Sequence, residues 1–453
     1  MTALLVLVVP GVLVGRVSAH ALGGSRFDAP LPLPLLLLGA GATVGLTALW
    51  LGRTDRSTPP TLDRELTTLS ASAVGTAKRL AAVGFLTCVL AALVAGALGR
   101  QVAAENPAKA FTWAVWFRGL ALVAIVAGTP WPALSPWQTV ADALAWVEGE
   151  ELSLRSPPAV GAWPATAGFL LVFGVVENLT NVPLVPRLTA VLLSVYAVTM
   201  LGGAVLFGSG WLARSDPLSV FYRLFGAVSP IRLSRRGDSY TVSLRYPWEG
   251  TLSPVGGQGV VAFAVAMVYV VSFDGFTETA AFQTVLFRTR AITGLGPATT
   301  LLLFAVGFAG FLGAFVAGCW LAERLGGERP ALSGATAGFA PTLLPIAAAY
   351  EVAHNYPYVL RSLGQLLEIL LDPILSGVGP LDPLAWLPLS AFWGSQVSLI
   401  VFGHVVAVVG AHFVAVRRYG SVAAARRGHL PLVVLMIGYT VLSLWIVSQP
   451  VVA

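Results

Sequence analysis

The sequence predicts an all-α fold, a polytopic integral membrane helix bundle of about ten transmembrane helices behind a signal peptide. Three observations predict it. Of the 453 residues, 56% are hydrophobic and only 11% charged, where a soluble domain carries about 25% charged residues. Mean hydropathy is +0.81 along the whole chain, so lipid is its main solvent. The basic residues are also distributed unevenly between alternate loops, as orientation in a bilayer requires.

Residues 1–19, MTALLVLVVPGVLVGRVSA, read as a signal peptide: the apolar run is short, Pro10 interrupts it, and Val17-Ser18-Ala19 supplies small residues for cleavage. Cleavage after Ala19 would make His20 the mature N-terminus, outside the cell, where an α-amine beside an imidazole chelates copper. The remaining chain, 20–453, reads as a single transmembrane helical domain.

A hydrocarbon core of about 30 Å needs about 20 apolar residues per helix. Ten segments meet that requirement: 31–52, 80–99, 110–129, 162–179, 187–207, 255–273, 298–320, 334–357, 393–416 and 430–448. With the N-terminus outside, the loops 53–79, 130–161, 208–254, 321–333 and 417–429 are cytosolic. They hold 18 of the 27 lysines and arginines. The expected location is therefore the cell membrane, with multiple passes.

The long loop 208–254 begins with DPLSVFYRLFGAV, which reads as an amphipathic helix lying on the inner surface. SRRGDSYTVSLRYPWEG follows as a hairpin around Gly237-Asp238. The external stretch 358–392 is apolar and proline-broken, the pattern of a re-entrant segment. Pro341 and Pro345 in GFAPTLLPIAAAY predict a kink in the eighth helix.

Composition and motifs exclude several classes of function. The net charge of +6 lies in short loops and orients the chain, so no nucleic-acid partner is expected. Cys88 and Cys319 frame neither a disulfide scaffold nor a cysteine metal site. Four scattered methionines do not line a copper path. Hydrolase elbows, His-Glu-x-x-His and phosphate-binding loops are missing from the sequence.

The informative residues are the ionisable ones inside apolar segments, where charge is costly and faces a bundle interior or a wet cavity. They are Arg118, Glu177 in FGVVENLTN, Asp274 in VSFDGFTET, Glu351 and His354 in AAAYEVAHNYPYVL, and His404 and His412. Four of them, Glu177, Asp274, Glu351 and His354, share the outer leaflet on the expected orientation. Glu351 and His354 are three apart and share one helical face; Glu-x-x-His is how helical bundles offer a carboxylate and an imidazole to one metal. His404 and His412 are separated by about 12 Å of helical rise. With His354 they form a descending series that suits proton or metal transfer, or separate ligation of haem. Structural readings stand beside these. Membrane histidines also bond across helix interfaces, Asp274-Gly275 also suits a turn cap, and Arg118 also serves as an ion-pair partner.

AHALGG with LPLP, AENPAKAFTWAVWFRGL with SPWQT, SFDGFTET, AHNYPYVL and VFGHVVAVVGAH occur in this order. Together they resemble the polytopic membrane proteins of the fenitrothion hydrolase-like family. The resemblance spans most of the chain and implies hydrolysis of an organophosphate ester. Carried over by position, it covers His20, Asp274, His354, His404 and His412; it implies a histidine where this chain has Glu351.

The expectation is an outward-facing polar cavity. In it Glu351, His354 and Asp274 bind a transition metal, copper or zinc, with His404 below them and His20 and His412 as further candidate ligands, and Asp274 or Glu177 acts as ligand or base in ester hydrolysis. A carrier or relay for a metal ion, proton or small solute uses the same residues. A haem-binding redox subunit with a membrane partner subunit is the third alternative.

Overall fold

Nine helices among the described residues are long and apolar enough to cross a membrane, and a shorter apolar helix joins them. The computed structural model describes residues 32–54, 56–327, 332–372, 374–375 and 381–449; the signal-peptide reading and His20 lie outside these residues. In chain order the helices are α1 (Leu33–Arg53), α2 (Ala71–Leu98), α3 (Pro107–Ala127), α4 (Trp163–Leu179, the short one), α5 (Pro186–Phe207), α6 (Gly257–Thr277), α7 (Ala298–Gly326), α8 (Leu332–Leu371), α9 (Leu389–Tyr419) and α10 (Val422–Val447). Each falls on one of the ten predicted segments. In hydrocarbon every backbone N–H and C=O must be bonded within the segment, and a long apolar run achieves this as a helix.

Local chemistry sets the ends. The Ser70 hydroxyl accepts from the Ala73 N–H at 3.2 Å and starts α2, and Ser421 does the same for Ala424 at the start of α10. Gly420, at φ +72°, ends α9 in the left-handed conformation that a glycine adopts without strain.

Two expectations change. The predicted proline break appears as a 3₁₀ turn, Ala340–Leu343, but α8 then continues through Pro357 to Leu371. The first part of 358–392, as far as Leu371, is therefore a continuation of this helix. The expected surface helix forms at Pro217–Ala227, yet Leu218, Val220, Phe221, Tyr222, Leu224 and Phe225 are all buried and only Arg223 is exposed. It belongs to a protein core, with the Tyr222 hydroxyl donating to the Trp116 carbonyl at 2.9 Å.

The predicted hairpin is present as β2 (Ile231–Arg236) and β3 (Ser239–Leu244). A third strand, β1 (Arg64–Ser70), pairs with β3, giving the antiparallel order β1-β3-β2. The pairing fixes a point of topology. β1 precedes α2 and β3 follows α5, so the loops that carry them lie on one side of the bilayer, and the chain between crosses an even number of times. Since α2, α3 and α5 each qualify as a span, α4 is the fourth crossing. A helix of 17 residues sits at the lower limit for spanning.

The chain divides into two compact units. The first comprises residues 63–245 and 355–386, and the second takes the described residues outside those ranges. The first holds α2 to α5, the sheet and the end of α8. Its core is aromatic: Trp116 stacks on Trp131 at 6.0 Å, and Phe173 meets Phe117 at 5.5 Å and Phe221 at 5.3 Å. The second holds α1, α6, α7, the start of α8, α9 and α10. Here α6 is the most enclosed helix, buried continuously from Gly259 to Phe273.

Candidate functional site

In the first unit, α3 and α4 each contain a π-helical stretch, Ala110–Gly119 and Leu170–Val176. Such insertions rotate the side chains that follow and recur at functional positions. Arg118 lies in the first stretch and Glu177 directly follows the second. Their side chains form a two-pronged ion pair, Nε to Oε1 at 3.1 Å and Nη2 to Oε2 at 2.5 Å, with both groups buried. The guanidinium also lies over the Phe173 ring at 4.9 Å. Arg118 thus has the carboxylate partner that the sequence suggested. Glu177 belongs to this unit, whereas Asp274 belongs to the second.

The second unit gathers the remaining candidates. Asp274 sits in the last turn of α6, and its Oδ2 meets His354 Nε2 of α8 at 2.9 Å, with both side chains only partly exposed. Gly275 permits the approach of α10: a side chain there would come within 2.8 Å of Ile446. Glu351, one turn before His354, is buried at 1% exposure. Beside His354 lies a cavity of about 30 Å³, lined among others by Tyr350, Gln396, Ile400 and Ser443. Room for one water needs about 10–15 Å³, so water or a small ion fits.

Along α9 the imidazoles descend into the protein. His404 is fully buried, and its ring lies edge-on to Tyr350 at 6.3 Å between centres. Its Nδ1 faces the Ile400 carbonyl at 2.8 Å, so Nδ1 carries the proton and Nε2 the lone pair. That Nε2 has no hydrogen-bond partner among the described residues, and the same holds for the Tyr350 hydroxyl. Gly403 makes the placement possible: any side chain there would press on Ala349 and come within 2.7 Å of the Pro345 carbonyl.

His412, two turns further on, is fully buried and has no partner on either ring nitrogen among the described residues. Its ring stands perpendicular to that of His429 at 5.2 Å. His429 was not among the sequence candidates. It follows Arg426 and Arg427 in what reads as a loop, but α10 starts at Val422 and carries it inside, with Nδ1 on the Ala425 carbonyl at 2.6 Å. Beyond this pair, buried Glu323 of α7 accepts from the Arg418 guanidinium, Nη2 at 2.9 Å, and from the Tyr419 hydroxyl at 3.1 Å.

The structure therefore joins Asp274 to His354, sets Tyr350 beside His404, and pairs His412 with His429. Among the described residues, no three His, Cys, Asp or Glu side chains are grouped to hold a metal ion. Comparison with protein families, curated proteins and solved structures gives no match to this chain.

Proposed function

We propose that the chain is a multi-pass carrier of the cell membrane, and that its second unit relays protons along buried imidazoles. The observation that carries the reading is His412: fully buried, perpendicular to His429, with neither ring nitrogen bonded among the described residues. A buried polar group without a partner costs about 1–3 kcal/mol, a cost that needs a compensating role. Neutral imidazole accepts a proton on one nitrogen and releases one from the other. Asp274–His354 forms one end of the path, His404 its middle and His412–His429 its far end. The small cavity beside His354 supports the choice of cargo, because pockets for organic ligands are about 300–1,000 Å³. In this reading the His412 end faces the cytosol and the N-terminus lies outside, an orientation that the excess of basic residues in alternate loops supports.

Protein reconstituted in vesicles with an internal pH-sensitive dye tests this. Under an imposed membrane potential, wild-type protein acidifies or alkalinises the lumen, and His412→Phe reduces the rate to that of protein-free vesicles. Wild-type vesicles no leakier than empty ones, or full flux in His412→Phe, would overturn the reading.

One arrangement favours a second reading, a metal-dependent ester hydrolase of the fenitrothion hydrolase-like kind. Asp274 meets His354, and Glu351 is buried one turn before His354 on the same helix. In this reading a bound copper or zinc ion would activate water. Elemental analysis decides: stoichiometric metal that is lost in His354→Ala supports it, and metal-free, flux-competent protein rejects it.

A further inference from the structure

One face of the small sheet is built differently from the other. Paired residues across antiparallel strands point to the same side, so the register defines both faces. On one side lie Thr241 and Ser243, both buried, and the paired charges Arg236 and Glu65 at 2.6 Å. On the other side, three rows run across β1, β3 and β2: Leu69–Tyr240–Arg235, Thr67–Val242–Leu233 and Arg64–Leu244–Ile231. No residue of this second face is buried, and Leu69 and Leu233 are each 44% exposed. Lys78 of α2 reaches over the Tyr240 ring at 5.0 Å. Arg64, Lys78 and Arg235 have no acidic partner among the described residues.

Position gives this face its occupant. β1 enters α2 with no linker, since Ser70 is both the last strand residue and the helix cap. The sheet therefore stands where a membrane-spanning helix leaves the bilayer. Leu80 and Val83, just beyond Lys78, are 70% and 60% exposed and belong to the apolar helix α2. Apolar residues, an aromatic ring and unpaired cations at that depth match the layered chemistry of a headgroup region, where basic residues attract anionic lipid.

We propose that this face binds the phosphate-bearing headgroups of anionic phospholipids, with Arg64, Lys78 and Arg235 as the cationic contacts and Leu69 and Leu233 set among the upper acyl carbons. The site lies wholly in the first unit and is independent of the proton relay.

The test uses the full chain in nanodiscs of phosphatidylcholine mixed with phosphatidylglycerol, with the lipids that stay bound counted by native mass spectrometry. The triple variant R64Q/K78Q/R235Q should lose preference for phosphatidylglycerol about tenfold. A control that removes three exposed cations elsewhere in the chain, R155Q/R214Q/R427Q, should change it less than about twofold. Unchanged melting temperature in both variants shows that the fold is kept. Equal losses in the two variants would mean diffuse charge attraction and would overturn the site. So would a preference that the triple variant leaves intact. Inorganic phosphate that displaces the retained phosphatidylglycerol, or an acidic peptide that binds the wild type more tightly than this lipid does, would also overturn the assignment to a lipid headgroup.

Discussion

Arg118 and Glu177 meet through two parallel hydrogen bonds inside a wall of aromatic rings, although 59 residues separate them. Taking both charges out of water is costly, and their attraction compensates only while the pair is intact. Arg118→Ala takes from the buried Glu177 carboxylate the two hydrogen bonds of the guanidinium. The expected loss is about 3–5 kcal/mol, seen as early unfolding in detergent. The double variant Arg118→Leu with Glu177→Leu should recover part of it, because the facing carboxylate is removed together with the guanidinium. A double variant as weak as the single one would show that the pair does more than neutralise itself.

Asp216 makes the stability of the first unit depend on pH. Burial pushes its carboxyl up to about 6 from 3.8, against the pull of hydrogen bonds from Tyr196, Trp131 and the backbone N–H of Leu218. Between those values the folded chain keeps a proton that the unfolded chain has released. The contribution is therefore complete below the unfolded value and is lost as the pH rises through about 6. The loss amounts to at most about 3 kcal/mol. Asp216→Asn has no such titration. The melting-temperature difference between wild type and Asp216→Asn should move against the wild type as the pH is raised from about 4 to about 7. A constant difference across that range would refute the assignment.

Hydropathy made the helices legible because it measures the quantity that decides them, transfer of backbone and side chain into hydrocarbon. The predicted 187–207 became Pro186–Phe207, and 298–320 became Ala298–Gly326. What escaped depends on partners distant in sequence. RELTTLS has little strand alternation and becomes β1 only by pairing with β3, about 170 residues on. The continuation of α8 past Pro357 could have been read from the leucine spacing of VLRSLGQLLEILL, a helical stripe with too many polar residues for a hydropathy scan. At the site, depth along the helices was readable, and Asp274 and His354 do meet. Direction around each helix was not, and it decides which carboxylate Arg118 meets.

Gly403 sets the spacing between α9 and the start of α8, and with it the position of His404 against Tyr350. Gly403→Val would drive its methyls into Ala349 and the Pro345 carbonyl. Overpacking of this kind costs about 1–3 kcal/mol and moves backbone. The variant should melt earlier and carry less proton flux than wild type. Gly394→Val, on the same helix with open space where a side chain would stand, should leave both unchanged. Equal behaviour of the two would separate the packing at Gly403 from the relay.

The pairing of the sheet predicts sidedness independently of the charge of the loops. β1 and β3 can pair only if their loops share a side, so α4, though short and partly π-helical, must cross. In a background with Cys88 and Cys319 replaced, R64C and R236C should react with an impermeant maleimide from the same face of sealed vesicles. Q101C, in the loop between α2 and α3, should react only from the opposite face. All three positions are exposed, so a failure to label could not be blamed on burial. Labelling of R64C and R236C from opposite faces would mean that three helices, not four, separate β1 from β3. The strands could not then form one sheet, and the proposed headgroup site would vanish with it.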